Sequence, residues 1–241
     1  MIMNKRILFI SGLVFLAFAC NLPSGASTPA ANLLATLSAS TPLSASTNAS
    51  IPSTLSPSTE PTGKIVFTCQ IYKDQTSEQI CIMNTDGSNY LRLTIEDDIR
   101  HFYPSISPDG RSVVYSAFNK QSKHYEIYEM DLSTSENKAL TYAIGDVNAP
   151  EISPDGKTIV FTRYINDPEK PNIWLMDRNG SNLRQVSAVP AWDPTWSPNG
   201  NQIAFNSGKG LFVMDSDGKN LSHLVDSTIC CFSTPQWQPQ P

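Results

Sequence analysis

From residue 63 onward the chain alternates short apolar runs with polar turns, the pattern of β-strands rather than helices. One family of runs reads Ile65-Val66-Phe67, Val113-Val114-Tyr115, Ile159-Val160-Phe161 and Ile203-Ala204-Phe205. A second follows each of these: ICIMNTDG from Ile80, IYEMDLST from Ile127, IWLMDRNG from Ile173 and LFVMDSDG from Leu211, with Met83, Met130, Met176 and Met214 in the fourth place. Apart from Glu129, the first four residues of each are apolar or aromatic on both alternating faces. That predicts strands sandwiched between layers, not strands with one wet face. Closing strands are expected at Leu91-Arg92-Leu93-Thr94 and Leu140-Thr141.

The turns repeat as well. Tyr103-Pro104-Ser105-Ile106-Ser107-Pro108-Asp109-Gly110 returns as Ala149-Pro150-Glu151-Ile152-Ser153-Pro154-Asp155-Gly156 and as Asp193-Pro194-Thr195-Trp196-Ser197-Pro198-Asn199-Gly200. A degenerate copy, Thr234-Pro235-Gln236-Trp237-Gln238-Pro239, follows. Pro104, Pro150, Pro194 and Pro235 are spaced by 46, 44 and 41 residues. In each turn proline presets φ, Asp or Asn caps, and glycine supplies positive φ. Four strands per repeat at this period predict the blades of a propeller. The expected fold is all-β: a four-bladed β-propeller of four-stranded antiparallel blades. Gly63-Lys64-Ile65 matches the residues after a turn, and Gln236-Trp237 matches the strand before one. The first blade therefore lacks its innermost strand, and the C-terminal strand is expected to pair beside Ile65-Val66-Phe67 and close the ring, covering a sheet edge.

The pattern P-x-(W/I)-S-P-(D/N)-G, (I/V)-x-(F/Y), (I/L)-x-x-M-(D/N)-x-x-G resembles the TolB-type, WD40-like β-propeller repeat over about three quarters of the chain. The same repeat family includes the propeller that precedes the hydrolase domain in dipeptidyl peptidase IV relatives. The second blade departs from the pattern, with no Gly after Asp131-Leu132, and no Asp-Gly follows Pro239. Propellers of this type usually have six blades, so the resemblance leaves open a ring completed by another chain.

Composition divides the chain. In residues 1–62 the ionisable side chains are Lys5, Arg6, Cys20 and Glu60. Lys5-Arg6 and the apolar run Ile7 to Phe18 read as a signal peptide over residues 1–19, the run being too short to span a bilayer comfortably. Ala17-Phe18-Ala19 fits an ordinary signal peptidase. Ala19-Cys20 resembles a bacterial lipobox, although Leu16 stands four residues before the cysteine instead of three. The favoured expectation is lipidation of Cys20 and a membrane-anchored protein of the cell envelope; the alternative is a secreted or periplasmic soluble one. Residues 20–62, rich in Ser, Thr and Pro without an aromatic residue, are expected to be a disordered tether spanning about 35 to 40 Å if flexible. Residues 63–241 are expected to form the propeller.

Four cysteines remain for an exported domain: Cys69, Cys81, Cys230 and Cys231. Cys69 ends one strand and Cys81 lies in the next, so a disulfide across that hairpin is expected, with Cys230 and Cys231 either bridged to each other or free. His101, His124 and His223 belong to different repeats and offer no zinc spacing, so no metal or other cofactor is expected. The Asp215-Ser216-Asp217-Gly218 segment lacks the spacing and final glutamate of a calcium loop, and its equivalents mark it as a turn. No G-x-S-x-G elbow occurs. With Lys5 and Arg6 removed, 15 of the 17 Lys and Arg face 22 Asp and Glu, which disfavours nucleic acid as a partner.

Loops entering the innermost strands line one mouth of a propeller channel. These carry Arg100, His101, Phe102 and Tyr103, then Asp146 and Asn148, then Trp192 and Asp193, and finally Phe232. Aromatic groups beside polar ones suit a protein, peptide or carbohydrate ligand, whereas Tyr103 and Trp192 equally suit packing between blades. The expected function is a non-catalytic binding or scaffolding module. The alternative is a propeller hydrolase or lyase, which needs ionisable groups converging in the channel.

Overall fold

A computed structural model of the chain describes residues 63–70, 77–165, 167, 169–226 and 234–238. The signal peptide, the tether, Cys20, Cys230, Cys231 and Phe232 lie outside the described residues.

Among the described residues fifteen strands make four antiparallel sheets in chain order. The first holds β1 (Lys64–Cys69), β2 (Gln79–Asn84) and β3 (Leu91–Arg92). The second holds β4 (His101–Ile106), β5 (Ser112–Asn119), β6 (His124–Asp131) and β7 (Asn137–Ala139). The third holds β8 (Asp146–Ile152), β9 (Thr158–Tyr164), β10 (Asn172–Asp177) and β11 (Arg184–Gln185). The fourth holds β12 (Trp192–Trp196), β13 (Gln202–Ser207), β14 (Gly210–Asp215) and β15 (Ser222–Asp226). Within each sheet the strands are bonded in sequence order, which is the blade of a four-bladed propeller.

The turn chemistry foreseen from the repeat recurs three times. Ser107 Oγ donates to Asp109 Oδ1 at 2.6 Å and accepts from Ser112 N at 3.0 Å. Ser153 and Ser197 do the same with Asp155 and Asn199, at 2.6 and 2.8 Å. Gly110, Gly156 and Gly200 follow at φ of 68°, 75° and 72°, where a side chain would be strained. A second repeated link ties each outer segment back: Thr94, Thr141 and Ser187 hydroxyls accept from the N–H of Ile80, Ile127 and Ile173 at 2.9, 2.9 and 2.8 Å.

The hydrophobic cores lie between consecutive blades, because each middle strand is apolar on both faces. Val113, Tyr115 and Met130 meet Ile80 between the first and second sheets. Phe161, Ile159 and Met176 meet Val114 and Ile127 between the second and third. Phe205, Ile203 and Met214 meet Val160 and Leu175 between the third and fourth. The repeated methionine thus faces the preceding blade each time. A polar clamp adds to the second seam, where Arg178 donates to Glu129 Oε1 at 2.8 Å and to Ser112 Oγ at 2.7 Å.

Among the described residues the first sheet has no innermost strand, as its starting residues implied. Residues 234–238 stand near that place, lining a cavity with β1 and bonded to the fourth blade. Trp237 Nε1 donates to Thr195 O at 3.3 Å, repeating one blade later the bond from Trp196 Nε1 to Glu151 O at 3.2 Å. The tail therefore docks on the fourth blade as an innermost strand does. Its relation to β1 is looser than a ladder: among the described residues β1 pairs with β2, and Thr234 and Gln236 face Val66, Phe67 and Thr68 across a shared cavity.

Candidate functional site

Each innermost strand bulges at its proline. The pairing of β4 with β5 shifts between Phe102 and Ser105, that of β8 with β9 between Asn148 and Glu151, and that of β12 with β13 between Trp192 and Thr195. Proline has no N–H to give a ladder, so a bulge is where a strand tolerates it. The residue before each proline takes left-handed φ: 52° at Tyr103, 50° at Ala149 and 52° at Asp193. This is uncommon for residues other than glycine and stores strain at three equivalent points around the axis.

Beyond the bulges the four inner segments border an open cavity of about 450 Å³, lined by Val66, Phe67 and Thr68 of β1 together with parts of β4, β8, β12 and the tail. The size suits a side chain or small ligand. Ser105, Glu151, Thr195 and Gln236 occupy one column of the repeat, and three of them line this space. Glu151 is its carboxylate. Trp196 N donates to Glu151 Oε1 at 3.3 Å, and the Thr195 side chain bonds the same group. Burial pushes the acid up to about 7, against the smaller opposing pull of those two hydrogen bonds.

The mouth-loop residues divide by role. Tyr103 is 42 % exposed and lines the cavity. Its phenol is raised above the ordinary range by burial, with the Asp193 carboxylate adding to it. Asp193 is itself raised by burial, opposed by a hydrogen bond from Asn206, and its N–H donates to Thr162 Oγ1 at 3.1 Å. Asn148 bonds Tyr164, whose phenol is raised by burial. Phe102 stands edge-on to Tyr103 and Tyr125, with ring centroids 5.1 and 5.0 Å away. Trp192 is partly buried.

Others hold the scaffold together. Arg100 makes a bidentate pair with Glu78 at 2.7 and 2.9 Å. His101 is buried against Tyr115, centroids 5.7 Å apart, and burial lowers its pKa despite Glu96 at 3.5 Å. Asp146 accepts from Tyr125 N at 2.9 Å and lies 3.3 Å from His124 Nδ1, joining the second and third blades. Cys69 and Cys81 are joined in a disulfide with Cα atoms 5.9 Å apart. Sequence reasoning passed over Glu151, although the repeat column held the signal: one ionisable residue among Ser, Thr and Gln.

The family of TolB beta propeller domains matches residues 60–211. No curated protein matches the chain. Among solved structures, a protein described as TolB from Agrobacterium tumefaciens is 24% identical, with a TM-score of 0.56, over 65% of this chain and 60% of that one. TolB from Acinetobacter baumannii is 24% identical, with a TM-score of 0.58, over 67% of this chain and 41% of that one. Oligogalacturonate lyase from Vibrio parahaemolyticus is 14% identical, with a TM-score of 0.51, over 66% and 48%. The chain therefore spans less than two thirds of each, and the likeness is one of fold.

Proposed function

Because the chain belongs to the TolB beta propeller domain family, we propose that it is a non-catalytic binding module of the cell envelope that holds a protein or peptide segment at its axial cavity. One observation carries this reading: strained bulges on three inner strands and a half-buried acid converge on a space of about 450 Å³. The export signal at residues 1–19 and the tether at 20–62 support an envelope location, with Cys20 as the lipid attachment point. Acid–base chemistry needs a second ionisable group within reach of the same substrate atom. Among the described residues the cavity offers one carboxylate, Glu151, and one phenol, Tyr103, which favours binding over the lyase alternative.

The test is a photocrosslinking amino acid at Thr68, an exposed residue on the cavity wall, with Leu224 on the outer strand β15 as the control position. A polypeptide adduct from Thr68 and none from Leu224 is expected in intact envelopes. Equal labelling at both positions, or none at Thr68, overturns the reading. Cys20→Ala should move the protein from the membrane to the soluble fraction.

A further inference from the structure

Glu151 is a half-buried carboxylate that meets no cation among the described residues. The influences on it are burial and two hydrogen bonds, from Thr195 and from Trp196 N, and no described Lys, Arg or His contributes. A carboxylate withdrawn from water normally meets an opposite charge or gives up its ionisation, and Glu151 stands at the balance point, raised to about 7. Glu151 is one of the residues that line the axial cavity.

The remaining walls define what can enter. Val66, Phe67, Pro104, Ile106 and Pro194 give apolar surface for an aliphatic stem. Tyr103 and Phe67 add aromatic rings to the lining, a residue type whose faces attract cations. A metal ion fits poorly: the space is far larger than a coordination sphere, and among the described residues no group of three or more His, Cys, Asp or Glu side chains could hold one. The chain's net charge of −5 draws cationic segments toward it.

We propose that the axial cavity is a socket for one basic side chain, lysine or arginine, of the bound polypeptide, whose ammonium or guanidinium group donates to the Glu151 carboxylate. The socket rests on the reading of this cavity as the binding site and specifies the chemistry it selects. Once filled, the cation repays the burial of the acid and restores its ionised state.

Blocked pentapeptides with a central lysine, arginine, norleucine or glutamate, titrated into the full chain at physiological salt, test this directly. Lysine and arginine peptides should bind at least about tenfold more tightly than norleucine, which keeps the stem and lacks the charge. Glu151→Gln, which keeps an acceptor for Trp196 N, should remove that preference. On the unsubstituted protein, lysine-peptide affinity should fall as pH drops below 7 while the peptide stays charged. Equal binding of all four peptides, with Thr68 crosslinking intact, overturns the socket and leaves the peptide-binding reading standing. An affinity that ignores both pH and Glu151→Gln overturns it too, as does calcium alone binding through Glu151 while basic peptides do not.

Discussion

The seam between the second and third blades and the seam beside β1 are made from the same repeat, yet they are not equally buried. Ile159, Val160 and Phe161 have no exposed surface, whereas at the equivalent positions Ile65 is 40 % exposed and Val66 and Phe67 are only half-buried. The methionine column repeats the contrast: Met176 is fully buried against the preceding blade, while Met83 is only partly covered. In the interior seams a laddered inner strand completes the wall. Beside β1 lies the tail, whose indole hydrogen bond goes to Thr195 O of the fourth blade, and the cavity opens into that gap. The same local sequence therefore yields a rigid joint or an accessible one, according to what stands next to it.

The largest test of this contrast is a matched pair of truncations. Phe161→Ala should cost about 3 to 5 kcal/mol in denaturant unfolding, and Phe67→Ala roughly a third of that. Equal losses would show that the seam beside β1 is as tightly packed as the others.

Next comes Glu151→Gln. The folded-state pKa near 7 lies above the ordinary value of 4.5, so the folded protein holds a proton that the unfolded chain has released. Stability from this group is present below pH 4.5 and is lost as pH rises through 7. The substitution should therefore stabilise the protein at pH 8 by up to about 3 kcal/mol, and by nothing at pH 4. Buried His101, with its lowered pKa, acts in the opposite sense as pH falls through 6.5, but it is common to both proteins and cancels from the difference. A gain that does not vary with pH would argue that Glu151 is solvated.

Removing the Cys69–Cys81 bridge with paired serines should cost about 2 to 3 kcal/mol. Hydrogen exchange should quicken in β1 and β2 and stay unchanged in β9. Smallest is Trp237→Phe, expected to cost about 1 kcal/mol through the lost bond to Thr195 O. No change there would mean that the tail contributes little to the fourth blade.

Much of this architecture was legible in the residues. The repeat gave the blades, the Ser-Pro-Asp-Gly turns, the doubly buried middle strands and the absence of an inner strand in the first blade. It also placed Cys69 opposite the strand containing Cys81. The site was harder to read for definable reasons. A residue before proline ordinarily prefers extended φ, so nothing in Tyr103-Pro104 or Asp193-Pro194 announces a left-handed bulge. His101, polar and flanked by aromatic residues, looks like a mouth residue; its burial depends on Tyr115 and on the segment around Glu96, which a linear pattern does not bring together. Glu151 sits in a column whose axial direction emerges only when four blades are set around one centre.

The bridge between Cys69 and Cys81 also decides how the domain bears load. Tension arriving from the N-terminal side meets β1 at the pair Lys64 and Asn84, and strips that strand one residue pair at a time. At Cys69 the covalent link hands the force straight to Cys81. In an oxidising compartment the first blade gives way by a short, fixed length and then stops; a reductant lengthens that give and passes the pull into the rest of the hairpin.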